Sequence, residues 1–126
     1  MNLLKKKKSQ GNYLKETTFD FLVPTVINIP YTKRFLTELV NIIDTKLLHI
    51  QVNELPPGWD ILVSIKDSCI YFGYWGEYKY VHLIIASCKE YNVEKVSAFI
   101  QKAFKVIPRI QIIRDIKIED LIKGLK

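Results

Sequence analysis

Residues 67–88, DSCIYFGYWGEYKYVHLIIASC, decide how this chain folds. The stretch opens on an acid–serine pair, Asp67-Ser68, directly after the extended apolar run DILVSIK that starts at Asp60. It crosses an aromatic segment with two glycines, Gly73-Tyr74-Trp75-Gly76-Glu77-Tyr78, and re-enters an apolar run, YVHLIIASC, that ends on Cys88. Two apolar runs joined by a Gly-containing connection predict a β-hairpin. Such a hairpin sets Ser68 and Cys88 at comparable heights on adjacent strands. A hydroxyl and a thiol brought together in this way are either packed small residues or working chemistry.

Working outward toward the N-terminus, NELPPGW (Asn53 to Trp59) reads as a loop and KLLHIQV (Lys46 to Val52) as a strand. Pro30 marks the entry to a helix over Tyr31 to Asp44. Its residues Phe35, Leu36, Leu39, Val40, Ile42 and Ile43 share one broad stripe at helical spacing. TFDFLVPTVIN, Thr18 to Asn28, reads as the first strand, at an edge or bulged because Pro24 cannot donate to a ladder. Residues 1–17 read as a mobile basic arm and 18–126 as one domain. Toward the C-terminus, Asn92 is placed to cap a helix, and Glu94 suits the positive end of its dipole. Val93, Val96, Phe99, Ile100, Ala103 and Phe104 form the apolar stripe. Pro108 ends that helix, RIQIIRDI (Arg109 to Ile116) resumes as strand, and 118–126 reads as a short amphipathic tail helix. The order strand, helix, three strands, helix, strand predicts an α+β two-layer sandwich, a mostly antiparallel sheet with two helices on one face. Both parities of LIIASC are apolar, so the second sheet face is expected to be covered, as a partner subunit would do.

Composition narrows the function classes. At 126 residues, 48% hydrophobic and 25% charged, the chain is ordinary for a soluble domain. No apolar run approaches the ~20 residues that span a bilayer. MNLLKKKKSQ lacks the apolar core of a signal peptide, so a cytoplasmic location is expected. Lys5 to Lys8 supply four of the net +6, leaving +2 for the rest. That run reads as a solvated tail, or as a loose polyanion contact for a stand-alone interaction domain, and no nucleic-acid motif supports the latter. Two cysteines make neither a disulfide framework nor a zinc motif, and His49 and His82 have no ligand partner at helical spacing, so no metal is expected. His82 reads as a hydrogen-bonded sheet histidine.

The central stretch resembles that of the small prokaryotic S-adenosylmethionine decarboxylases, roughly E-S-H-L-S-I-H-T-W-P-E-Y-x-Y followed by an apolar strand ending T-C. Laid without a gap, Asp67 falls on the family Glu and Ser68 on the Ser that becomes the pyruvoyl group. Trp75, Glu77, Tyr78 and Tyr80 match outright, and Cys88 falls on the catalytic Cys. Cys69 stands in place of one His, Gly73 in place of the processing His, and Gly76 in place of the Pro. The order of elements extends the similarity over residues 18–116.

The resemblance implies a pyruvoyl cofactor made by self-cleavage between Asp67 and Ser68, with no metal. It implies a dimer, and a substrate that is S-adenosylmethionine or a related amino acid, feeding polyamine (spermidine) synthesis. Cys88 would return a proton to the decarboxylated carbon, and Glu77 would hold ribose hydroxyls. Trp75 and Tyr80 would offer aromatic faces to adenine and the sulfonium. The missing His at 73, and the helper Ser missing near His49-Ile50-Gln51-Val52, motivate an alternative. In it the chain is a catalytically degenerate homologue that binds a nucleoside or regulates an active partner subunit.

Overall fold

The computed structural model describes residues 11–126; the Lys5–Lys8 run lies outside them. Along YLKETTFDFL the residues alternate between buried and half-buried, and Tyr13–Leu22 forms strand β1. Five residues expected in the arm are therefore strand, because Lys15 and Thr17 point into the core side as Phe19 and Phe21 do. β1 stops at Leu22, so Pro24 lies beyond it, and the expected edge position is not found. β1 sits between two neighbours, with its one register shift between Glu16 and Thr17.

Helix α1, Ile29–Ile42, starts where the Asn28 carboxamide accepts the Tyr31 amide at 2.8 Å and Pro30 fills the first turn. Strands β2 (Leu47–Leu55) and β3 (Gly58–Ile65) run further than expected, leaving only Pro56-Pro57 between them. β4 (Ser68–Trp75) is a strand missing from the expected order. Gly73, Tyr74 and Trp75 lie in it rather than in a turn, because Ile70, Phe72 and Tyr74 alternate into the core. The turn to β5 (Tyr80–Ser87) is Gly76 to Lys79, closed by the Tyr78 amide on the Trp75 carbonyl at 3.1 Å. Helix α2, Val93–Phe104, is capped by the Asn92 carboxamide on the Lys95 amide at 3.0 Å and ends at Lys105 in the left-handed region, φ 59°. β6 (Arg109–Lys117) and helix α3 (Ile118–Leu125) complete the described chain.

The six strands pair antiparallel throughout in the order β2-β3-β4-β5-β1-β6. α1 and α2 pack side by side on one face, where Phe35 stacks on Phe99 at 4.9 Å between ring centroids. Beneath them Phe19, Ile61, Phe72 and Leu83 from four strands, with Leu36, Leu39 and Ile100 from the helices, are fully buried. The fold is the expected α+β two-layer sandwich. On its second sheet face Trp75 and Leu62 are each 39% exposed among the described residues.

Candidate active site

The β4–β5 register sets Ser68 opposite Ser87, and the Cys88 amide donates to the Asp67 carbonyl at 2.8 Å. The peptide that joins Asp67 to Ser68 thus has its oxygen held by the residue that carries the candidate thiol. Ser68 has φ 153°, a conformation that residues with a Cβ rarely adopt, and such positions cost about 1–3 kcal/mol. The Asp67 carboxylate is fixed by the Thr45 hydroxyl at 2.7 Å. No sequence signal singled out Thr45, which follows α1 and meets Asp67 only through the fold. A strained peptide with a polarised carbonyl next to a serine hydroxyl is what an N-to-O acyl shift requires. The acid–serine peptide thus has the chemistry from which a pyruvoyl group could be made.

The remaining candidates stand at the other end of the same hairpin. Trp75 pairs with Tyr80, their ring centroids 5.1 Å apart, and Glu77 lies exposed in the turn beyond. Asp60, Tyr71, Gly73, Trp75 and Glu77 line a cleft of about 180 Å³ there. Seven positions separate Ser68 from Trp75 along β4, about 23 Å at ~3.3 Å per residue. Within one chain, then, the Ser68–Cys88 pair and the Trp75–Glu77–Tyr80 group do not meet. The cleft is also smaller than the ~300–1,000 Å³ usual for small-molecule sites.

Register builds a feature on the open sheet face that the sequence does not display. Asn53, Asp60, Gly73, His82, Asp20 and Arg109 are successive cross-strand partners, one polar row across all six strands. His82 Nδ1 lies 2.6 Å from Asp20 Oδ1, and the Tyr80 hydroxyl donates to the same oxygen. Burial, with that bond to Asp20, pushes the Tyr80 phenol up to about 12. On the other side the Tyr71 hydroxyl donates to Asp60 at 3.2 Å, and burial followed by the Asp60 charge raises its pKa as well. Cys69 pairs with Ser64 and Ala86 two levels along β4 from the Gly73 row, away from the core side.

Two glycines of the motif have steric causes. A Cβ at Gly73 would sit 2.7 Å from the Tyr71 Oη and 3.0 Å from the Trp75 ring, so the space of a side chain is already filled. A Cβ at Gly76 would sit 1.9 Å from the Pro57 carbonyl oxygen, where the β2–β3 turn presses on the β4–β5 turn.

An antiparallel sheet with two helices on one face carries, at one end of its central hairpin, an acid–serine peptide whose carbonyl is held by the amide of a cysteine. A sequence model of the S-adenosylmethionine decarboxylase family matches residues 24–112, more than half of the chain. The chain belongs to that family. Among solved structures, the adenosylmethionine decarboxylase of Aquifex aeolicus VF5 is similar in fold, with a TM-score of 0.61 at 12% identity over 82% of this chain and 91% of that one. A search among curated proteins found no significant match. Among the described residues no group of three or more His, Cys, Asp or Glu is placed to hold a metal ion, and no helix is long and apolar enough to cross a membrane.

Proposed function

We propose that this chain matures by self-cleavage between Asp67 and Ser68 and acts as a pyruvoyl-dependent decarboxylase of S-adenosylmethionine, or a related amino acid, in polyamine synthesis. The observation that carries this reading is the hydrogen bond from the Cys88 amide to the Asp67 carbonyl, beside a serine held at φ 153°. As the Ser68 hydroxyl adds to that carbonyl, negative charge grows on the oxygen the Cys88 amide already holds. One such donor is worth about two to three powers of ten in rate. Collapse breaks the amide and relieves the strain at Ser68. The Thr45 hydroxyl donates to the Asp67 carboxylate at 2.7 Å and so fixes the side chain next to the reacting peptide. The pyruvoyl group supplies an electron-withdrawing ketone for decarboxylation. In this reading the Cys88 thiol gives the product carbon its proton, and Trp75, Glu77 and Tyr80 hold the nucleoside part.

The ~23 Å between the two groups requires a second subunit, turned so that one end of its hairpin meets the other end of this one. A homodimer joined through the open sheet faces, in the cytoplasm, supplies it. Leu62, Tyr71, Trp75 and Ile84 form the apolar part of that face. The test is the intact mass of the purified protein under denaturing conditions, with Ser68→Ala as control. Two fragments, 1–67 and a 68–126 piece lacking a free amine, support the reading. A single uncut chain refutes it.

A second reading rests on Gly73, whose side-chain space is taken by Tyr71 and Trp75. In it the chain is a degenerate homologue that binds a nucleoside or regulates an active, related subunit. An uncut chain whose melting temperature rises with S-adenosylmethionine supports this reading.

A further inference from the structure

The sheet ends on two edge strands, β2 and β6, and they differ in kind. β6 is blunted. Arg109, Arg114, Asp115 and Lys117 lie along it, its register slips opposite Glu16 and Thr17, and α3 follows it directly. Charges and bulges of this sort keep a sheet from adding another strand. β2 slips once, between Leu47 and His49, and from there to Leu55 it pairs with β3 in unbroken register. That run, HIQVNEL, holds one acid, Glu54, and no Lys, Arg, Pro or Gly.

The alternation of an antiparallel ladder says which backbone groups of β2 face outward. Leu55 and Gly58 are partners across the two-residue Pro56-Pro57 turn, and such a turn closes on a pair that exchanges ladder bonds. Asn53–Asp60, Gln51–Leu62 and His49–Ser64 then bond in the same way. Ile50, Val52 and Glu54, lying between them, turn their amides and carbonyls away from β3. No hydrogen bond reaches these groups from elsewhere among the described residues.

We propose that β2 is a docking edge for β2 of a second copy of this chain, joining two six-stranded sheets into one. The copies relate by a two-fold axis normal to the sheet that passes beside Val52. In that register Val52 meets Val52 of the partner, and Ile50 meets Glu54 of the partner, so each outward amide faces an outward carbonyl. Gln51 meets Asn53 of the partner, two carboxamides that both donate and accept. His49 meets Leu55 of the partner, a side chain 64% exposed in the single chain. Glu54 lies against isoleucine, so no like charges are opposed.

Neighbouring registers fail. A slip by one residue sets outward amides against residues already bonded to β3. A centre at Ile50 brings in Leu48, where the β2–β3 register is broken. An unrelated extended peptide satisfies the backbone groups alone, whereas a second copy also matches the side chains in pairs. The axis leaves both sheet faces free, so the edge contact is separate from the pairing of open faces proposed above and does not depend on cleavage at Ser68.

The experiment measures mass by light scattering, and amide exchange residue by residue by nuclear magnetic resonance, on the full-length protein over a range of concentrations. The amides of Ile50, Val52 and Glu54 are expected to exchange fast in dilute protein and to become protected as the mass doubles, while those of Gln51 and Asn53 stay protected throughout. Glu54→Pro removes an outward donor that the β3 ladder does not use and should halve the associated mass. The double variant Gln51→Lys with Asn53→Lys sets two pairs of lysines against each other and should dissociate this edge, whereas either substitution alone should not. Circular dichroism checks that the variants fold. Leu62→Arg, on the open face, should leave the protection of Ile50, Val52 and Glu54 intact. Fast exchange of those three amides at every concentration, or an association that survives both Glu54→Pro and the double lysine variant, overturns the inference while the self-cleavage reading stands.

Discussion

Replacing Gly73 by alanine tests whether that position is empty or filled. The added methyl group would lie 2.7 Å from the Tyr71 Oη, 2.8 Å from its Cε2 and 3.0 Å from the Trp75 Cζ3. Ordinary carbon contacts lie at ~3.5–4.0 Å, so both rings must retreat by most of an ångström. Trp75 is 39% exposed and can swing toward solvent, whereas Tyr71 is tied to Asp60. Overpacking costs about 1–3 kcal/mol. A lost hydrogen bond adds about 0.5–1.5 kcal/mol. The smaller backbone entropy of alanine returns about 0.5–1 kcal/mol. The net expectation is a destabilisation of roughly 0.5–4 kcal/mol, read from the midpoint of a urea unfolding curve. Tyr71→Ala in the same chain opens the space, so the double variant should lose much less than the sum of the two single ones. A Gly73→Ala protein as stable as the parent refutes the steric account. The same crowding implies that Gly73→His, which writes the family residue back into the motif, does not restore its geometry by itself.

Other outcomes follow from the core, a cap and the phenols. Phe72, fully buried between Trp59 and Phe35, should cost about 3–5 kcal/mol when cut to alanine, again by urea unfolding. Asn92→Ala removes the α2 cap and should cost about 0.5–2 kcal/mol, with hydrogen exchange rising first at the N-terminal turn of that helix. Burial pushes the Tyr91 phenol up to about 12, as it does Tyr80. The folded state therefore holds both protons more tightly than the unfolded one. Their contribution is complete below pH ~10 and is lost as pH rises from ~10 to ~12. An ultraviolet titration showing both phenols ionising with the exposed tyrosines would contradict this.

The two core helices could be read in the sequence because their apolar residues recur at helical spacing and Asn92 caps one of them. The α3 tail was legible for the same reason. Ser68 and Cys88 were expected at comparable heights; the register sets Ser68 opposite Ser87 and brings the Cys88 amide to the Asp67 carbonyl. β4 was not, since two glycines among aromatics look like a turn until Ile70, Phe72 and Tyr74 are seen to alternate into one core. The first strand was misplaced because Lys15 and Glu16 read as tail, although the Lys15 ammonium is buried against the Tyr91 carbonyl at 2.9 Å and Glu90 at 3.0 Å. The polar row could not be read at all. Asp20 and His82 are 62 positions apart, and only the β1–β5 ladder makes them neighbours. The split of the candidate residues between two ends of a hairpin is likewise a matter of distance along a strand, which motif matching ignores.

The strand order has a consequence for a chain cut before Ser68. The first piece would own β1, β2 and β3, and the second β4, β5 and β6. Across the sheet these alternate in ownership, because β1 of the first piece is held between β5 and β6 of the second. The halves are dovetailed, and neither can leave without unzipping three ladders, β3–β4, β5–β1 and β1–β6, and splitting the helix layer. A nicked protein would therefore migrate as an intact one in gel filtration and native mass spectrometry. Only under denaturing conditions would it come apart.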